Sequence, residues 1–350
     1  MKRSTLEDVA KLANVGIATV DRVLNERGNV SASTATRVIS AAEELGLRRI
    51  MPAIYRSGIR VEVALAQRSA PFMKRLNSAF IRAASTLDRS VTIQRNFYDG
   101  WTPQKIAARL KANSNNGLII YGHEDPEIKK AIDELSDAGI PVVTIVSDVP
   151  ETLRRAYVGV NNFSAGRTAA FFLSRMAHRT GDIIVLCNSF RYRGHMERVT
   201  GFESGLREYG TNLRLHEVLE GNDDIGLSGR LLDGAIRQCT NLVGIYNAGA
   251  ANRAVEQALT GAGLAGEVLF FGHELTDVTV RLLRSGVMTM TIDQNPEMEA
   301  RHAIETVLHS ITRPSSGEVT MRSAMAYVPF TVHTVDSIPD GFSEDAPTLY

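Results

Sequence analysis

From Arg60 onward the sequence alternates short β-branched runs with amphipathic segments of helical period. This alternation predicts parallel strands in sheets that helices cover on both faces. The predicted strands are 61–66, 91–96, 117–121, 142–146, 183–186, 243–246 and 268–271. The predicted helices between them include 72–87, 103–112, 126–138, 165–177, 198–209 and 250–262. Because about 270 residues are too many for one sheet of ordinary size, we predict two similar lobes with a cleft between them.

Polar residues follow several of these strands and are the candidate ligand-binding residues, since open parallel sheets bind ligands beyond the carboxyl ends of their strands. The candidates in the first lobe are Gln67, His123, Ser147 and Asp148. The candidates in the second lobe are Arg193, Asn247, His273, Glu274 and Gln294. A Gly-His-Glu triplet ends an apolar run at 122–124 and again at 272–274. These triplets are interpreted either as like pairs presented to one cleft or as a chance repeat.

The first 50 residues predict three short helices instead of strands. Thr5, with Asp8 three positions later, is typical of a capped helix N-terminus. Ser31 starts the third helix and Gly46 stops it. The predicted helices are about 6–13, 17–24 and 32–45, with apolar residues at three-to-four spacing facing one small core.

The second of these helices presents an outward face that suits DNA. Two helices joined by a tight turn form the helix-turn-helix, whose second helix enters the major groove. Arg22 can pair with guanine, Ile17 and Ala18 can contact a thymine methyl, and Thr19 can reach a phosphate. Asp21 lies among them, and its role stays open. The alternative is a three-helix interaction module with a solvated face.

The charge distribution favours the DNA interpretation for this segment. The whole chain has 39 basic and 39 acidic residues and so gives no indication of a nucleic-acid partner. Residues 1–60, however, contain ten Lys or Arg and six Asp or Glu, a net charge of +4.

Several classes of protein are disfavoured by composition and by missing motifs. With 44% hydrophobic residues the chain is not disordered. No run approaches the roughly 18 apolar residues of a membrane span, and the N-terminus lacks an apolar export segment, so we expect no membrane partner and a cytoplasmic location. Cys187 and Cys239 are expected to be buried thiols.

We also expect no metal site, no cofactor and no catalysis. The His and Glu residues of the two triplets lack an HExxH or Cys/His pattern, and hydroxyl recognition is favoured over zinc. The sequence has no GxxxxGK[ST] phosphate loop. Ser189, His195 and Asp148 can be drawn as a triad, but no GxSxG elbow supports it.

The run from Thr5 to Asn25, together with 30–31 and 41–46, resembles the head of LacI-type transcriptional repressors. The resemblance implies that Ile17, Ala18 and Arg22 read base edges. The residues that it places near the DNA backbone are Thr5, Thr19, Asn25 and Ser31. At position 21 this chain has Asp where the family usually has Ser.

The segment that follows, 48–58, departs from the family pattern. LacI-type repressors have a hinge helix here that inserts a Leu into the minor groove. Ile54 or Tyr55 is the candidate wedge, but the usual Asn and Leu pattern is missing. A plain basic linker is the alternative.

The body resembles the same family and the ribose-type periplasmic sugar-binding proteins. The stretches that carry this resemblance are 71–72, 158–166, 198–202 and 291–296. It implies that Phe72 stacks on a sugar face and that Glu274 and Gln294 hydrogen-bond to hydroxyls. Met196 stands where many sugar-binding relatives have an Arg, so Arg193 or His195 is expected to substitute, or the ligand differs.

The predicted fold is a small all-α helix-turn-helix head joined to an α/β, two-lobed, type I periplasmic-binding-protein-like body. The predicted boundaries are 1–47 for the head, 48–59 for the linker, 60–335 for the body and 336–350 for a tail. Within the body, the first lobe is assigned 60–161 and 296–335, and the second lobe 162–295.

The predicted function is sequence-specific regulation of transcription, with repression favoured. The expected partners are double-stranded operator DNA and a small hydroxyl-rich effector such as a sugar or polyol. A homodimer is expected, and pairing into a tetramer is left open. The alternative is a solute-binding protein of a sugar transport system, which shares the body but not the basic head.

Overall fold

The computed structural model describes residues 5–25, 30–45, 58–112, 114–210, 212–312 and 324–342. The chain divides into two compact units, a head of residues 1–60 with 87–92 and a body formed by the remainder. Within the described ranges, no helix is both long and apolar enough to cross a lipid bilayer.

Three helices form the head as predicted. They are α1 (Leu6–Ala13), α2 (Ile17–Leu24) and α3 (Ala32–Glu44). Val9, Val20 and Val38 are fully buried at their common core. Thr5 begins α1 with a reciprocal capping box to Asp8, which satisfies amides that the first helical turn leaves without partners.

The described residues of the body form two six-stranded sheets, one in each lobe. The first sheet has the order β11-β5-β4-β3-β1-β2. Its strands are β1 (Ile59–Leu65), β2 (Val91–Phe97), β3 (Gly117–Tyr121), β4 (Val142–Ile145), β5 (Ala156–Gly159) and β11 (Ala324–Tyr327). Strands β3, β4 and β5 are buried along their whole length, as expected for parallel strands covered on both faces.

The second sheet has the order β12-β10-β9-β8-β6-β7. Its strands are β6 (Gly181–Cys187), β7 (Leu213–Glu220), β8 (Leu242–Asn247), β9 (Leu269–His273), β10 (Met290–Asp293) and β12 (Thr331–His333). Pairing is parallel except for β12, which runs antiparallel to β10.

Nine helices of the described body connect and cover these sheets. They are α4 (Pro71–Ser85), α5 (Pro103–Lys111), α6 (Pro126–Asp137), α7 (Asn162–Met176), α8 (Arg193–Tyr209), α9 (Ile225–Gln238), α10 (Asn252–Gly261), α11 (Asp277–Arg284) and α12 (Pro296–Thr312). Among the described residues, a 3-10 turn spans Val335–Ser337.

The chain passes between the lobes three times, after β5, after β10 and after β11. The last passage differs from the predicted lobe boundaries. Residues 331–333 were assigned to the first lobe, but they pair with β10 in the second. Ile338 and Phe342, assigned to a tail, pack on the apolar core of the second lobe. The last strand of each lobe, β11 or β12, thus lies at the edge of that lobe's sheet.

All seven predicted strands and six predicted helices are present, but five strands were not predicted. β7 has polar or charged residues at four of its eight positions and is half exposed, because it is an edge strand. β5 and β10 have only four residues each, too few to show a period.

Candidate functional site

A small cavity of about 50 Å³ lies between the lobes of the body, at the carboxyl ends of the strands. Its lining comes from loops after β1, β4, β7, β8, β9 and β10 and from the first turns of α4 and α8. The lining residues are Gln67, Ala70, Phe72, Met73, Tyr121, Val146, Ser147, Gly194, His195, Arg198, Asp223, Gly249, Ala250, Glu274 and Gln294. Six of the eleven predicted effector residues are among them: Gln67, Phe72, Ser147, His195, Glu274 and Gln294.

The backbone around this cavity is strained. Gln67, Val146, Asp223 and Glu274 all have positive φ, between 52° and 71°. Each such conformation costs non-glycine residues on the order of 1–3 kcal/mol and is most unusual for a β-branched residue. Strain of this kind clusters at ligand sites, where the surrounding structure holds it in place.

Three buried polar atoms of the cavity lining lack a hydrogen-bond partner among the described residues: His195 Nδ1, Glu274 Oε2 and Gln294 Oε1. Glu274 and Gln294 are only 6% and 2% exposed. Because a buried polar atom without a partner costs roughly 1–3 kcal/mol, three in one cavity indicate a site that a polar ligand completes. The two oxygens call for donors on that ligand.

Burial shifts the pKa values of two side chains in the cavity. Burial, helped by the neighbouring Asp293 carboxylate, raises the pKa of Glu274 to about 7. The Gln294 amide donates a hydrogen bond to Glu274 Oε1. Burial, with the Arg198 charge, lowers the pKa of His195 to about 3, so this imidazole is neutral at physiological pH.

Arg198 supplies a cation to the cavity. Its guanidinium is held by Asn162 Oδ1 at 2.8 Å and by the Ala248 carbonyl at 2.9 Å, which leaves further N–H donors of its five. α8 can place it there because two glycines let α7 and α8 touch. A Cβ on Gly166 would lie 2.0 Å from the Arg198 carbonyl oxygen, and one on Gly201 would lie 2.1 Å from that of Phe163.

The two lobes are in direct contact around the cavity. Arg75 of α4 binds Asp293 of β10 through two hydrogen bonds of 2.5 and 3.1 Å. The Gly194 amide donates to Ser147 Oγ at 3.3 Å. The rings of Tyr121 and Tyr192 are stacked with centroids 5.3 Å apart. The structure therefore describes a closed cleft.

Five predicted effector residues do not line the cavity. Asp148 belongs to a buried ion pair with Arg154 at 2.5 Å, and its other oxygen accepts from Thr144. Asn247 donates to Asn252 Oδ1 and accepts from the Gly249 amide. Both side chains shape loops of the site instead of facing a ligand.

The remaining three lie at other contacts. His273 is buried, with Nε2 2.7 Å from the Tyr246 hydroxyl, so the second Gly-His-Glu triplet contributes only Glu274. The His123 ring contacts the Tyr192 ring. Arg193 binds Glu197 at 2.8 Å and, across the cleft, Glu124 at 3.2 Å. Arg193 is thus a contact between lobes.

Arg198, Asp223, Tyr121 and Met73 line the cavity but were not predicted to do so. In the family resemblance the sugar-binding Arg corresponds to Met196, and the predicted helix starts at 198, whereas α8 starts at Arg193. Because α8 starts at Arg193, residues 194, 195 and 198 lie in its first two turns. Residues 194 and 198 are one helical turn apart and therefore share a face of the helix. That spacing is the signal that could have found Arg198.

The drawn triad is not formed. Both oxygens of Asp148 are used within the first lobe, and His195 Nδ1 has no partner in the described part of the chain. Ser189 Oγ accepts from the Arg191 amide.

In the head, α2 presents the predicted surface. Ile17, Ala18 and Arg22 are exposed, Ile17 to 48%, and Thr19 is half-buried. Asp21 Oδ1 accepts a hydrogen bond of 2.6 Å from the Asn25 amide, which gives the unexplained acid a partner one helical turn away.

Two predicted backbone-contacting residues also cap helices. Thr5 Oγ1 accepts from the Asp8 amide, and Ser31 Oγ accepts from the Thr34 amide. The proposed wedge residues Ile54 and Tyr55 lie outside the described residues.

Two family models match this chain. The periplasmic binding protein domain matches residues 61–312, and the model of bacterial regulatory proteins of the lacI family matches residues 5–49. The chain belongs to the lacI family of bacterial regulatory proteins. Its architecture in that family is a helix-turn-helix head with a two-lobed periplasmic-binding-protein-like body.

Individual relatives agree with the lacI-family assignment. The chain is 27% identical over 212 residues to the HTH-type transcriptional regulator DegA of Bacillus subtilis, covering 59% of this chain and 62% of DegA. It is 28% identical over 232 residues to the maltose regulon regulatory protein MalI of Escherichia coli, covering 63% of this chain and 64% of MalI. The chain thus spans less than two thirds of the length of these curated relatives.

A solved structure agrees in fold. It is a solute-binding protein of an ABC transporter from Burkholderia graminis in complex with D-arabinose, with a TM-score of 0.73 and 21% identity. The match covers 81% of this chain and 98% of that protein.

Proposed function

We propose that this lacI-family protein is a cytoplasmic transcriptional repressor whose DNA binding is controlled by a small hydroxyl-rich effector in the cleft of its body. The carrying observation is the group of unpartnered polar atoms on His195, Glu274 and Gln294 around one cavity. The head supplies the DNA-binding surface, and family membership joins the two functions in one chain.

The chemistry of the cavity favours a sugar or polyol. Hydroxyls can donate to Glu274 Oε2 and Gln294 Oε1, and they can accept from Arg198. Phe72, buried in the lining, offers an apolar face to the C–H face of a sugar ring. The D-arabinose complex of the similar solute-binding protein supports this ligand class.

Access to the cavity requires the lobes to separate, because about 50 Å³ is far below the roughly 300–1,000 Å³ of typical ligand sites. Ligand binding and lobe closure are therefore coupled. An effector that favours one lobe arrangement by about 5.5 kcal/mol would move a population from 1:99 to 99:1. We propose that this shift changes the geometry with which two heads meet DNA.

On DNA, α2 would lie in the major groove. Arg22 is exposed and has no hydrogen-bond or ion-pair partner among the described residues, so its planar guanidinium is available for a guanine edge. Ile17 and Ala18 at the start of α2 would contact thymine methyl groups. The hydrogen bond that the Asn25 side-chain amide donates to Asp21 would reduce the repulsion between the Asp21 carboxylate and DNA phosphates.

We propose that the repressor is a homodimer, and α7 offers an apolar surface for self-association. Phe163, Phe171, Phe172 and Met176 are 36–41% exposed on this helix, and the Phe171 ring packs edge-on against Tyr209. A second copy would cover this surface and place two heads on half-sites one helical turn apart. Phe172→Asp should give monomers in sedimentation velocity, whereas Leu153→Asp, an exposed apolar site in the first lobe, should not.

One experiment tests the proposed function as a whole. Duplexes selected from a random library by the full-length protein are titrated with and without sugars, polyols and sugar phosphates that raise its melting temperature. A preferred duplex whose affinity changes with such a ligand is the expected result. Ligand binding without any DNA preference would instead favour a solute-binding protein, and turnover of the ligand would indicate an enzyme.

A further inference from the structure

Three side chains with metal-binding atoms meet in the second lobe, away from the cleft. They are Asp182 near the start of β6, His216 of β7 and Cys239, which caps the C-terminus of α9. A carboxylate oxygen, an imidazole nitrogen and the thiol sulfur all lie within 4.8 Å of one another. Since these residues are far apart in sequence, only the folded lobe brings them together.

Strand alternation places His216 on the same side of the sheet as Cys239. β6 and β7 pair Ile183 with Leu215 and Ile184 with Glu217, so His216 is an extra residue in β7. Leu213 and Leu215 pack on the apolar core formed with α7 and α8, whereas Cys239 packs on the opposite core, formed with α9 and α10. Bulges are common next to functional sites, and here the extra residue follows the Asp182–Arg214 pair by two positions along β7.

The donor set is the one that zinc prefers. Zn²⁺ binds Cys sulfur at about 2.3 Å and His nitrogen or carboxylate oxygen at about 2.0–2.2 Å in tetrahedral geometry, which sets ligand atoms roughly 3.3–3.8 Å apart. From their 4.8 Å limit the three atoms need to converge by at most about 1.5 Å. His216 and Cys239 are half-buried, so an ion can reach them from solvent. We propose that Asp182, His216 and Cys239 bind one Zn²⁺, with water as the fourth ligand.

Arg214 opposes this ion and so offers a sharp test. Its Nε and Nη2 lie 2.8 and 2.7 Å from Asp182 Oδ1. Both contacts use the same oxygen, which leaves Oδ2 for the metal. The Arg214 side chain is 72% exposed and can swing into solvent, but its positive charge competes with a cation for the carboxylate.

The location indicates a structural role. Asp182 lies at the amino end of β6, and the effector cavity lies at the carboxyl ends of the strands. A zinc ion here would join β6, β7 and α9, and so would stabilise the second lobe without entering the cleft.

The probe for this site is Co²⁺, which reports its ligands by absorption. Full-length protein without a histidine tag, stripped with chelator, is titrated with Co²⁺ and then with Zn²⁺. We expect one Co²⁺ per chain, with a thiolate charge-transfer band and tetrahedral visible bands that Zn²⁺ removes. Cys187→Ala should keep the thiolate band, because Cys187 is buried on the other side of the sheet, and Cys239→Ser should lose it.

Two further variants distinguish loss of the metal site from loss of the fold. His216→Gln should weaken Zn²⁺ binding at least tenfold while circular dichroism and effector binding stay unchanged. Arg214→Ala should tighten Zn²⁺ binding about tenfold, since it removes the competing cation. A thiolate band that persists in Cys239→Ser, affinity weaker than millimolar in the wild type, or weaker binding in Arg214→Ala would each overturn the site.

Discussion

Arg75 in the first lobe and Asp293 in the second form a bidentate ion pair across the cleft, with N–O distances of 2.5 and 3.1 Å. Their side chains are only 13% and 7% exposed. Burial by itself would raise the pKa of Asp293, but the hydrogen bonds and charge of Arg75 outweigh burial and hold it below its usual range. Asp293 also adjoins Glu274 and accepts from the Leu275 amide, so this pair links the contact between the lobes to the proposed effector site.

Arg75→Ala is expected to destabilise the body strongly. It leaves the Asp293 carboxylate buried without its partner, and breaking a buried pair in this way costs about 3–5 kcal/mol. Arg82→Ala is the matched control, because Arg82 lies on the same helix in an exposed pair with Glu297 that is worth about 0–1 kcal/mol. Thermal unfolding at pH 7 compares the two variants. Equal melting temperatures would show that the Arg75–Asp293 pair contributes little to the stability of the closed body.

Effector affinity is expected to rise with pH between 6 and 8. Glu274 has a pKa near 7, and a hydroxyl donates a stronger hydrogen bond to its Oε2 when that carboxylate is ionised. Protonation at lower pH therefore weakens binding, by up to about tenfold per pH unit. Calorimetry across this range measures the slope, which Glu274→Gln should flatten. A wild-type affinity independent of pH would refute the proposed role of Glu274.

The same residue is expected to limit stability at alkaline pH. Its pKa is higher in the folded protein than in the unfolded chain, so the folded state holds the proton longer. Stability is therefore lost as pH rises from about 4.5 to 7, and the full penalty is present above pH 7. Glu274→Gln should raise stability at pH 8 by on the order of 1–3 kcal/mol and change it little at pH 4.5, as melting curves at both values would show.

Arg22→Ala is expected to abolish discrimination at one operator position and to leave effector binding intact. Losing a bidentate contact to guanine costs about 1–3 kcal/mol. Arg37→Ala, an exposed arginine on α3, serves as the control. Competition binding against single-base variants of the selected duplex measures the effect. Equal base preference in wild type and Arg22→Ala would contradict the proposed placement of α2 in the major groove.

Much of this protein follows from local sequence. The period of 61–66 and 117–121 predicts buried strands, and Thr5 with Asp8 predicts the start of α1, since both depend on residues a few positions apart. The position of Gln67, Ser147, Glu274 and Gln294 just after strands likewise places them at the cleft. Parallel strands end at one edge of a sheet, whatever their order.

Other features were beyond local sequence. β7 has little apolar period because it is an edge strand, and β12 joins the second sheet only through a third passage of the chain. Asp148 follows β4 and His273 is the last residue of β9, so both lie at strand ends. They nevertheless turn to Arg154 and Tyr246, partners that packing supplies.

The sequence by itself determined the helix-turn-helix, the two α/β lobes and the edge of the sheets at which the candidate residues lie, because these depend on periodicity, caps and strand direction. Only the tertiary structure decided that Arg198 enters the cavity, that Arg75 meets Asp293, and that Asp182, His216 and Cys239 converge. Such contacts join residues tens to hundreds of positions apart, and their geometry is set by packing between elements.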